Sequence, residues 1–290
     1  MDLFLTCIVT GVTFGLIYAL AGVGLVTIFR TSGYVSFAQG DIAAVALYIG
    51  IAAYTADVPY PLMALIVVGA AGLIGGLIGG LIVIPLERHG LLTAALATIG
   101  VGLTIQGIEN VTINPEPRAF PSAGSRAAFD VGPVTLSVAD VTAAVVCIGL
   151  FIALALFFRL SRTGTAMRAA NDNAEAARHI GLSAYRLKGL SWVLGGALAG
   201  VCGLFVAPAY SLSPTSVNAL LVFGFATVVL GGFDSVLGAL LSGLIIGIST
   251  NLIAAYVAPG AVNFGMYVLL LGMLLVRPYG LLGQRPLERV

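Results

Sequence analysis

The segment Arg159–Gly189 reads RLSRTGTAMRAANDNAEAARHIGLSAYRLKG, and it is the one long polar stretch with a strong charge bias in a chain of apolar runs. Six of the thirteen Lys and Arg residues lie in it, against two acidic residues, Asp172 and Glu175. Loops rich in Lys and Arg stay on the cytoplasmic side of a membrane, so this segment predicts a cytoplasmic loop between two spans. The basic residues are Arg159, Arg162, Arg168, Arg178, Arg186 and Lys188.

The same loop carries the pattern of a short capped helix. Asp172 can accept from the backbone N–H groups that open a helix, and Glu175 can reach back to it, as in a capping box. Gly181 supplies the left-handed residue that ends a helix. We therefore predict a rigid helix that stands out in the cytosol and docks a soluble partner through a small apolar face. The predicted docking residues are Asp172, Glu175, Ala176, Ala177, Arg178, Ile180 and Gly181.

Composition decides the class of protein. The 290 residues are 59% hydrophobic and only 9% charged, and the mean hydropathy is +1.09. Soluble domains carry roughly 25% charged residues, so we expect an all-α polytopic membrane bundle that forms a single domain over residues 1–290. The net charge of +1 gives no indication of a nucleic-acid partner. Cys7, Cys147 and Cys202 lie in apolar runs and are predicted to be buried free thiols.

Nine apolar segments lie along the chain, most of them near the ~20 residues that cross a bilayer. With the N-terminus outside and the C-terminus inside, eleven of the thirteen basic residues fall on the inner side, leaving Arg118 and Arg126 outside. This distribution agrees with the excess of Lys and Arg in cytoplasmic loops and predicts nine spans in that orientation. The segments are about 3–29, 34–55, 60–85, 91–113, 139–158, 189–210, 217–232, 236–258 and 262–277.

The segment Thr31–Asp41, TSGYVSFAQGD, places polar residues between two apolar helices. One interpretation is a broken helix whose N-terminal end and polar side chains line a translocation path through the membrane. The other is a simple cap, with Gly40 and Asp41 preceding a helix that starts at Ile42. An acidic residue at bilayer depth is expensive, which favours a position facing protein or a wet cavity. The candidate path residues are Ser36, Gln39, Asp41 and Gln106.

Two further features concern the outer side. Gln106, Glu109 and Asn110 share one helical face, which indicates either a polar mouth or, as we favour, a position at the membrane interface. The segment Asn114–Val138 is the only sizeable outer loop; its prolines are typical of turns, and it is long enough to contact an external partner. Glycines at small-xxx-small spacing predict close helix packing. These are Gly11 and Gly15, Gly72, Gly76 and Gly80, Gly196 and Gly200, and Gly243 and Gly247.

Several chemistries are disfavoured by what the sequence lacks. It has no GxxxxGK[ST] motif, so it does not bind ATP in the P-loop manner, and no cofactor is expected. His89 and His179 are too far apart for a metal-ligand motif, and we expect no metal site and no enzymatic activity. A stand-alone secondary transporter remains an alternative, although ionisable residues suited to ion coupling are few. A structural or assembly protein of the membrane is the third possibility.

Four motifs, in order, resemble the bacterial ABC-type branched-chain amino acid permeases. Gly15–Asp41 resembles the N-terminal block of that family, and Thr163–Leu182, TGTAMRAANDNAEAARHIGL, resembles its ATPase-docking loop. Val229–Gly247 resembles the Gly-Gly…Ser…Gly-Ala motif near its C-terminus, and Leu274–Gly283 its closing Arg-Pro-x-Gly-Leu signature. The first block usually reads Asn-Phe-Ala-His-Gly, where this chain has Ser36–Gly40, and the late motif commonly has Gly-Ser where this chain has Asp234 and Ser235.

The resemblance covers essentially the whole chain, and the length is similar to that of the shorter of the two permease subunits in the family. It implies a multi-pass protein of the bacterial inner membrane, surrounded by lipid and paired with a second permease subunit in a hetero- or homodimer. It also implies two cytoplasmic ATPase subunits, which bind the ATP, and an external solute-binding protein. The implied substrate is a branched-chain or related small amino acid. Permeases for urea and short amides share the family, and Ser36 and Gln39 leave that alternative open.

Overall fold

The computed structural model describes residues 2–113, 116–122, 128–131, 134–172, 177, 179, 181–213, 217–233, 235–277 and 280–283. The chain is almost entirely helical, as predicted for an all-α membrane bundle. The helices are α1 Asp2–Ser32, α2 Gln39–Thr55, α3 Tyr60–Ile78, α4 Leu91–Thr112, α5 Val138–Leu160, α6 Arg162–Asp172, α7 Ala184–Tyr210, α8 Asn218–Gly231, α9 Val236–Tyr256 and α10 Val262–Val276.

Shorter pieces extend two of these helices. After α3 the chain continues through a π-helical turn at Gly79–Val83, an α-helical segment at Ile84–Leu86 and a 3-10 turn at Glu87–His89. The π turn fits the residues around it, because Pro85 cannot donate a backbone hydrogen bond and Gly79 lies against the ring of Trp192. A 3-10 turn at Pro259–Ala261 precedes α10.

An antiparallel hairpin, β1 Ala128–Val131 and β2 Val134–Ser137, lies in the predicted outer loop. It is a small exception to the all-α prediction, because the prolines of this loop indicated only turns. Ser137 ends the hairpin and opens α5, where its hydroxyl and the Asp140 carboxylate form a reciprocal capping box. The hairpin is thereby attached directly to a spanning helix.

Within the described ranges, seven helices are long and apolar enough to cross a membrane. They correspond to seven of the nine predicted segments. The segments 34–55 and 217–232 instead form the shorter helices α2, with 17 residues, and α8, with 14. At 1.5 Å per residue these helices are shorter than the ~30 Å hydrocarbon core. The count of nine spans and the orientation of the termini stay predictions.

Glycine lets two pairs of long helices approach closely, as the small-xxx-small spacing predicted. In the crossing of α1 and α9, a Cβ atom at Gly15 would lie 2.8 Å from the backbone oxygen of Gly243. In the crossing of α3 and α7, a Cβ atom at Gly75 would lie 2.7 Å from the backbone oxygen of Trp192 and next to Gly196. Gly80, which was predicted to take part, meets only the Tyr185 hydroxyl at 3.6 Å. Backbone contacts of this kind hold helices together where lipid offers no hydrophobic drive.

The packing reveals an internal repeat that the sequence analysis did not detect. The pentapeptide Ala-Leu-Ala-Gly-Val occurs at 19–23 in α1 and at 197–201 in α7, 178 residues later. In each half a long helix is followed by a break, a short helix and two more helices, so α1, α2, α3 and α4 correspond to α7, α8, α9 and α10. The halves are interlocked, because α1 packs on α9 and α8 while α7 packs on α3 and α2.

The three cysteines lie inside the bundle. Cys7, Cys147 and Cys202 are buried and free, which confirms the prediction that they form no disulfide framework. Cys202 lies at the crossing of α1 and α7, where its thiol donates to the backbone oxygen of Ile17 at 3.4 Å.

Candidate functional site

The site begins at the break between α1 and α2. Helix α1 ends at Ser32, Gly33 adopts a left-handed φ of 79°, and α2 starts at Gln39. Ala38 occupies the N-cap position without a side-chain hydrogen bond, and Asp41 lies within the first turn. The interpretation of Gly40 and Asp41 as a cap is therefore wrong, because the helix starts before them and the Asp41 carboxylate binds a different helix.

The chain turns back into the bundle at this break. The Phe37 amide donates to Thr98 Oγ1 of α4 at 3.0 Å, and Gln39 Nε2 donates to the backbone oxygen of Gly195 in α7 at 2.7 Å. Gln39 lies beside Gly24, where a Cβ atom would come within 2.5 Å of its amide nitrogen. Gly24 precedes Ser32 by eight residues, so the Gln39 amide meets α1 about 12 Å before the Ser32 end of that helix. Irregular backbone at that depth is tolerated only where protein covers it.

Asp41 and Gln106, two of the candidate path residues, are brought together. Asp41 is 3% exposed, and its Oδ1 accepts from Gln106 Nε2 of α4 at 2.9 Å. The other carboxylate oxygen faces Gly102, a position with no room for a side chain. The amide thus satisfies one side of a carboxylate that is costly to bury in a membrane. We call these residues of α2 and α4, together with Gln39 and Ser36, the polar seam.

Ser36 lies in the break and is fully buried. Its hydroxyl has no hydrogen-bond partner among the described residues, and the same holds for Gln39 Oε1 and for the hydroxyl of Ser32. Buried polar atoms without partners are uncommon in folded proteins, since each carries a desolvation cost of roughly 1–3 kcal/mol. Two of these oxygens, from Ser36 and Gln39, belong to the polar seam and give it free hydrogen-bonding capacity inside the bundle.

Glu109 was expected at the membrane interface, and its depth in the membrane stays a prediction. Its side chain is 3% exposed and lines a cavity of about 550 Å³ between α2, α3 and α4. Tyr48 of α2 lines the same cavity. Helical spacing could have revealed both, since Tyr48 follows Asp41 by seven residues and Glu109 follows Gln106 by three. Asn110, by contrast, is exposed and donates only to the Gln106 backbone oxygen of its own helix at 2.8 Å.

The two short helices meet at the centre of the molecule. Gln39 and Gly40 at the start of α2 face Leu221 and Gly224 of α8, and Ala21 and Ala199 of the repeated pentapeptides complete the wall. The space enclosed is about 10 Å³. One water molecule needs ~10–15 Å³ by this measure, so the centre is closed in this conformation.

The predicted cytoplasmic loop has more helix than expected. Helix α6, Arg162–Asp172, was not anticipated, and Asp172 is its last residue. Ala177 and His179 lie in a second helical stretch, which ends where predicted: Gly181 has φ 82°, and the Leu182 amide donates to the Ala177 carbonyl at 3.0 Å. This is the hydrogen bond of a Schellman motif. The predicted capping role of Asp172 and Glu175 is untested, because Glu175, Ala176, Arg178 and Ile180 lie outside the described residues.

One expectation for this loop is corrected. Ala177 was predicted to belong to a face that stands out in the cytosol, yet it is 4% exposed. It faces the chain itself, lining a pocket of about 250 Å³ with Ser32 and Gly33 at the end of α1 and with Leu187 and Lys188 of α7. The second helical stretch of the loop therefore lies close to the break.

Polar contacts tie this inner region together. Lys188 of α7 forms an ion pair with Glu87, in the turn that follows α3. The Tyr34 hydroxyl, in the break itself, donates to the other Glu87 oxygen at 2.9 Å. Thr31 and Ser191 share a hydroxyl–hydroxyl hydrogen bond of 2.6 Å between α1 and α7. Lys188, at the end of the Arg159–Gly189 segment, is therefore connected to Tyr34 in the break by one intervening side chain, Glu87.

Two of the motifs noted in the sequence also meet in space. The Leu281 and Leu282 amides, near the C-terminal end of the chain, donate to the Leu230 and Gly231 carbonyls at 2.8 and 3.1 Å. These carbonyls belong to the last turn of α8, where helical partners are missing. The closing signature thus caps the second short helix.

The described residues contain no group of three or more His, Cys, Asp or Glu side chains that could hold a metal ion.

Comparisons with known proteins identify the family of the chain. A family model, branched-chain amino acid transport system / permease component, matches residues 7–277. The chain is 30% identical to the high-affinity branched-chain amino acid transport system permease protein LivH of Escherichia coli K12, over 99% of this chain and 98% of that protein. It is 27% identical to the corresponding permease protein BraD of Pseudomonas aeruginosa, over 99% and 98%.

Two more distant similarities are informative. The permease protein LivM of E. coli K12 is 27% identical over 93% of this chain and 68% of its own length. Among solved structures, PsaBC from Streptococcus pneumoniae in complex with Fab matches with a TM-score of 0.54, covering 96% of this chain and 93% of that chain. The identity there is 11%, so this likeness concerns the fold alone.

Proposed function

The chain belongs to the family of branched-chain amino acid transport permeases, and from that premise we propose that it is the membrane-spanning permease subunit of an ABC-type importer in a bacterial inner membrane. In this proposal it forms part of the translocation path and receives the movement of separate ATPase subunits. A second permease subunit, two ATPases and an external solute-binding protein complete the assembly. The substrate class is a branched-chain or related small amino acid.

The polar seam supports a path through this subunit. A buried carboxylate and a broken helix in a membrane are typical of substrate routes, because polar groups there are costly and are retained where a function needs them. Asp41 and Gln106 are fixed to each other, whereas the Ser36 hydroxyl and Gln39 Oε1 are without partners among the described residues. Movement of α2 relative to α8 would open the closed centre beside them.

The contact between the cytoplasmic loop and the break is the observation that carries the proposal. Ala177 lies beneath Ser32 and Gly33, and Lys188 reaches Tyr34 through Glu87. A partner that displaces the loop would act on the turn that opens α2 without a long intervening chain of contacts. This arrangement suits a protein that has no nucleotide site of its own and is driven from the cytoplasmic side.

The test is import by the reconstituted assembly. The permease, with a second permease subunit, the ATPases and the binding protein from the same cell, is placed in vesicles, and uptake of labelled leucine is measured with and without ATP. We expect uptake that requires ATP, the ATPases and the binding protein together. Uptake by this chain alone, driven by an ion gradient, would identify a secondary transporter. Unchanged uptake when this chain is omitted would indicate an assembly protein.

Orientation is a separate part of the proposal. With the N-terminus outside, Ala56 between α2 and α3 lies outside and Ser183 before α7 lies inside; both are exposed. The native cysteines are buried, so single cysteines at these two positions can be labelled with a membrane-impermeant maleimide in whole cells. We expect Ala56→Cys to react and Ser183→Cys to react only after the cells are opened. Reaction of both from the same side would contradict the nine-span arrangement.

A urea or short-amide substrate is the second candidate. Ser36 and Gln39 replace the Asn and His that are usual in related permeases, and both place an unpartnered oxygen in the break. These oxygens could accept from amide N–H groups. Urea and acetamide are therefore included beside leucine in the import assay, and preferential uptake of either would favour this alternative.

A further inference from the structure

The cavity that contains Glu109 lies apart from the closed centre. It is formed by α2, α3 and α4 near the end of α4, three residues before Thr112. Its volume of about 550 Å³ falls in the range of small-molecule pockets, ~300–1,000 Å³. The wall is mainly isoleucine, including Ile74, Ile78 and Ile105. A concave apolar wall with a few polar groups is the usual composition of a ligand site.

The polar groups in this cavity lack partners. Neither oxygen of the Glu109 carboxylate has a hydrogen-bond partner among the described residues, and neither does the Tyr48 hydroxyl. Glu109 is 3% exposed and Tyr48 9%, so bulk water does not satisfy them. A buried carboxylate surrounded by aliphatic side chains requires a proton or a cation to complement it. Asp41 is close enough to interact electrostatically with Glu109, which adds to the demand for positive charge.

We propose that this cavity binds a small aliphatic amino acid, with the ligand ammonium group on Glu109 and Tyr48 and its branched side chain on the isoleucine wall. The ammonium donates to the carboxylate and to the phenolic oxygen. This inference rests on the proposed function, because it assigns a site to the substrate class of the importer.

The position of the cavity indicates its place in transport. In the proposed orientation the end of α4 is on the outer side, so a ligand reaches Glu109 before it reaches the closed centre. Asp41 and Gln106 lie one to two helical turns further in along the same two helices. The cavity is therefore the first binding site on the route, which we call the outer station, and the polar seam is the second binding site.

The test is direct binding to the purified full-length chain in lipid nanodiscs, without ATPases or binding protein. The probes are labelled L-leucine and two competitors that each keep half of it: 3-methylbutylamine, which has the ammonium, and 4-methylpentanoate, which has the carboxylate. We expect leucine to bind, the amine to compete and the acid to compete poorly. Glu109→Gln keeps the shape of the side chain and should weaken binding at least about tenfold, since a charged partner is lost.

Two further variants distinguish the loss of a ligand contact from misfolding of the protein. Tyr48→Phe removes only a hydroxyl and should weaken binding about threefold. Asn110→Ala, adjacent to Glu109 but exposed, should leave binding unchanged. If Glu109→Gln binds leucine as the wild type does, or if the acid competes as well as the amine, the ammonium site is wrong. If no probe binds the wild type at millimolar concentration, the cavity is a recess for a lipid acyl chain or a neighbouring subunit, and the inference is likewise wrong.

The proposed function is tested separately. ATP-driven leucine uptake that is insensitive to Glu109→Gln would overturn the outer station and leave the importer intact. Absence of leucine uptake by the complete wild-type assembly, with amine binding still lost in Glu109→Gln, would overturn the substrate class while the ammonium site stands.

Discussion

The two short helices, α2 and α8, occupy corresponding places in the two halves of the molecule, yet their surroundings differ chemically. Helix α2 starts among Gln39, Asp41 and Gln106 and carries buried polar atoms without partners. Helix α8 is held by satisfied hydroxyls: the Thr227 hydroxyl donates to the Gly224 carbonyl at 2.6 Å, and Ser242 donates to the Thr227 carbonyl at 2.6 Å. Helix α8 therefore has a structural role in the second half, which we call the frame, whereas α2 presents a candidate binding surface in the first half.

The two halves are alike in how their long helices pack. They differ in the polar residues that their short helices carry. The crossings of α1 with α9 and of α3 with α7 are both made by glycines in backbone contact. A side chain added at these glycines would meet the backbone of the partner helix in either half. The short helices do not need this close glycine packing. Helix α2 can therefore carry buried polar residues, whose desolvation cost is offset by the packing of the long helices.

The largest effect is expected at the two crossings. Gly196→Ala and Gly243→Ala each place a methyl group against backbone, and overpacking of this kind costs ~1–3 kcal/mol, a large fraction of the stability of most proteins. Gly107→Ala, on α4 with no atom within 4 Å, should instead be neutral or stabilising, since alanine favours a helix by ~1 kcal/mol. The measurement is the thermal unfolding temperature of the purified chain. If all three variants unfold at the same temperature, the glycines at the two crossings are no more important for stability than an exposed glycine.

A smaller and more specific effect is expected where α2 and α8 differ. Asp41→Asn keeps the shape and the hydrogen bond from Gln106 but removes the charge, and we expect at least about a tenfold loss of transport with normal insertion, because intramembrane charges are retained for function. Thr227→Val removes a hydroxyl from the frame and should cost ~1 kcal/mol of stability with transport unchanged. Uptake and unfolding are measured on both variants. Transport by Asp41→Asn at the wild-type rate would show that α2 is no more functional than α8.

The smallest effect is expected at the inner contact. Lys188→Met breaks the ion pair with Glu87, which is only partly buried and is therefore worth ~1 kcal/mol or less. We expect a few-fold loss of ATPase stimulation by loaded binding protein, because the loop is no longer fixed to the break. Arg186→Met, two residues earlier and exposed, is the matched control. If both variants stimulate equally, the contact has no part in coupling and the loop acts elsewhere.

Much of the fold could be predicted because lipid leaves few alternatives. Long apolar runs became helices with ends within a few residues of the predicted ones. The polar segment before α2 was noted from composition, but a broken helix and a simple cap were both left open. The exposure of a polar helix face was not predictable in the same way. Glu109 and Asn110 are adjacent in the sequence, and only packing decides that one is buried against α2 and the other faces outward.

In the Arg159–Gly189 loop, too, one feature could be predicted from local sequence and another could not. The end of its second helix was predicted correctly because Gly181 acts through local backbone geometry. The burial of Ala177 was not, since it depends on where α1 ends. The repeat escaped notice because only five consecutive residues are shared, while the correspondence of the halves lies in the packing.

The closed centre between Gln39 and Leu221 has a consequence for the cell that hosts the protein. A chain of water molecules conducts protons, and a membrane that maintains ~100 mV drives each charge inward with ~2.3 kcal/mol. A space of about 10 Å³ does not accommodate even a short water file. In the proposed importer, protons cannot follow the route between α2 and α8 in this conformation, and a leak along that route requires the short helices to separate.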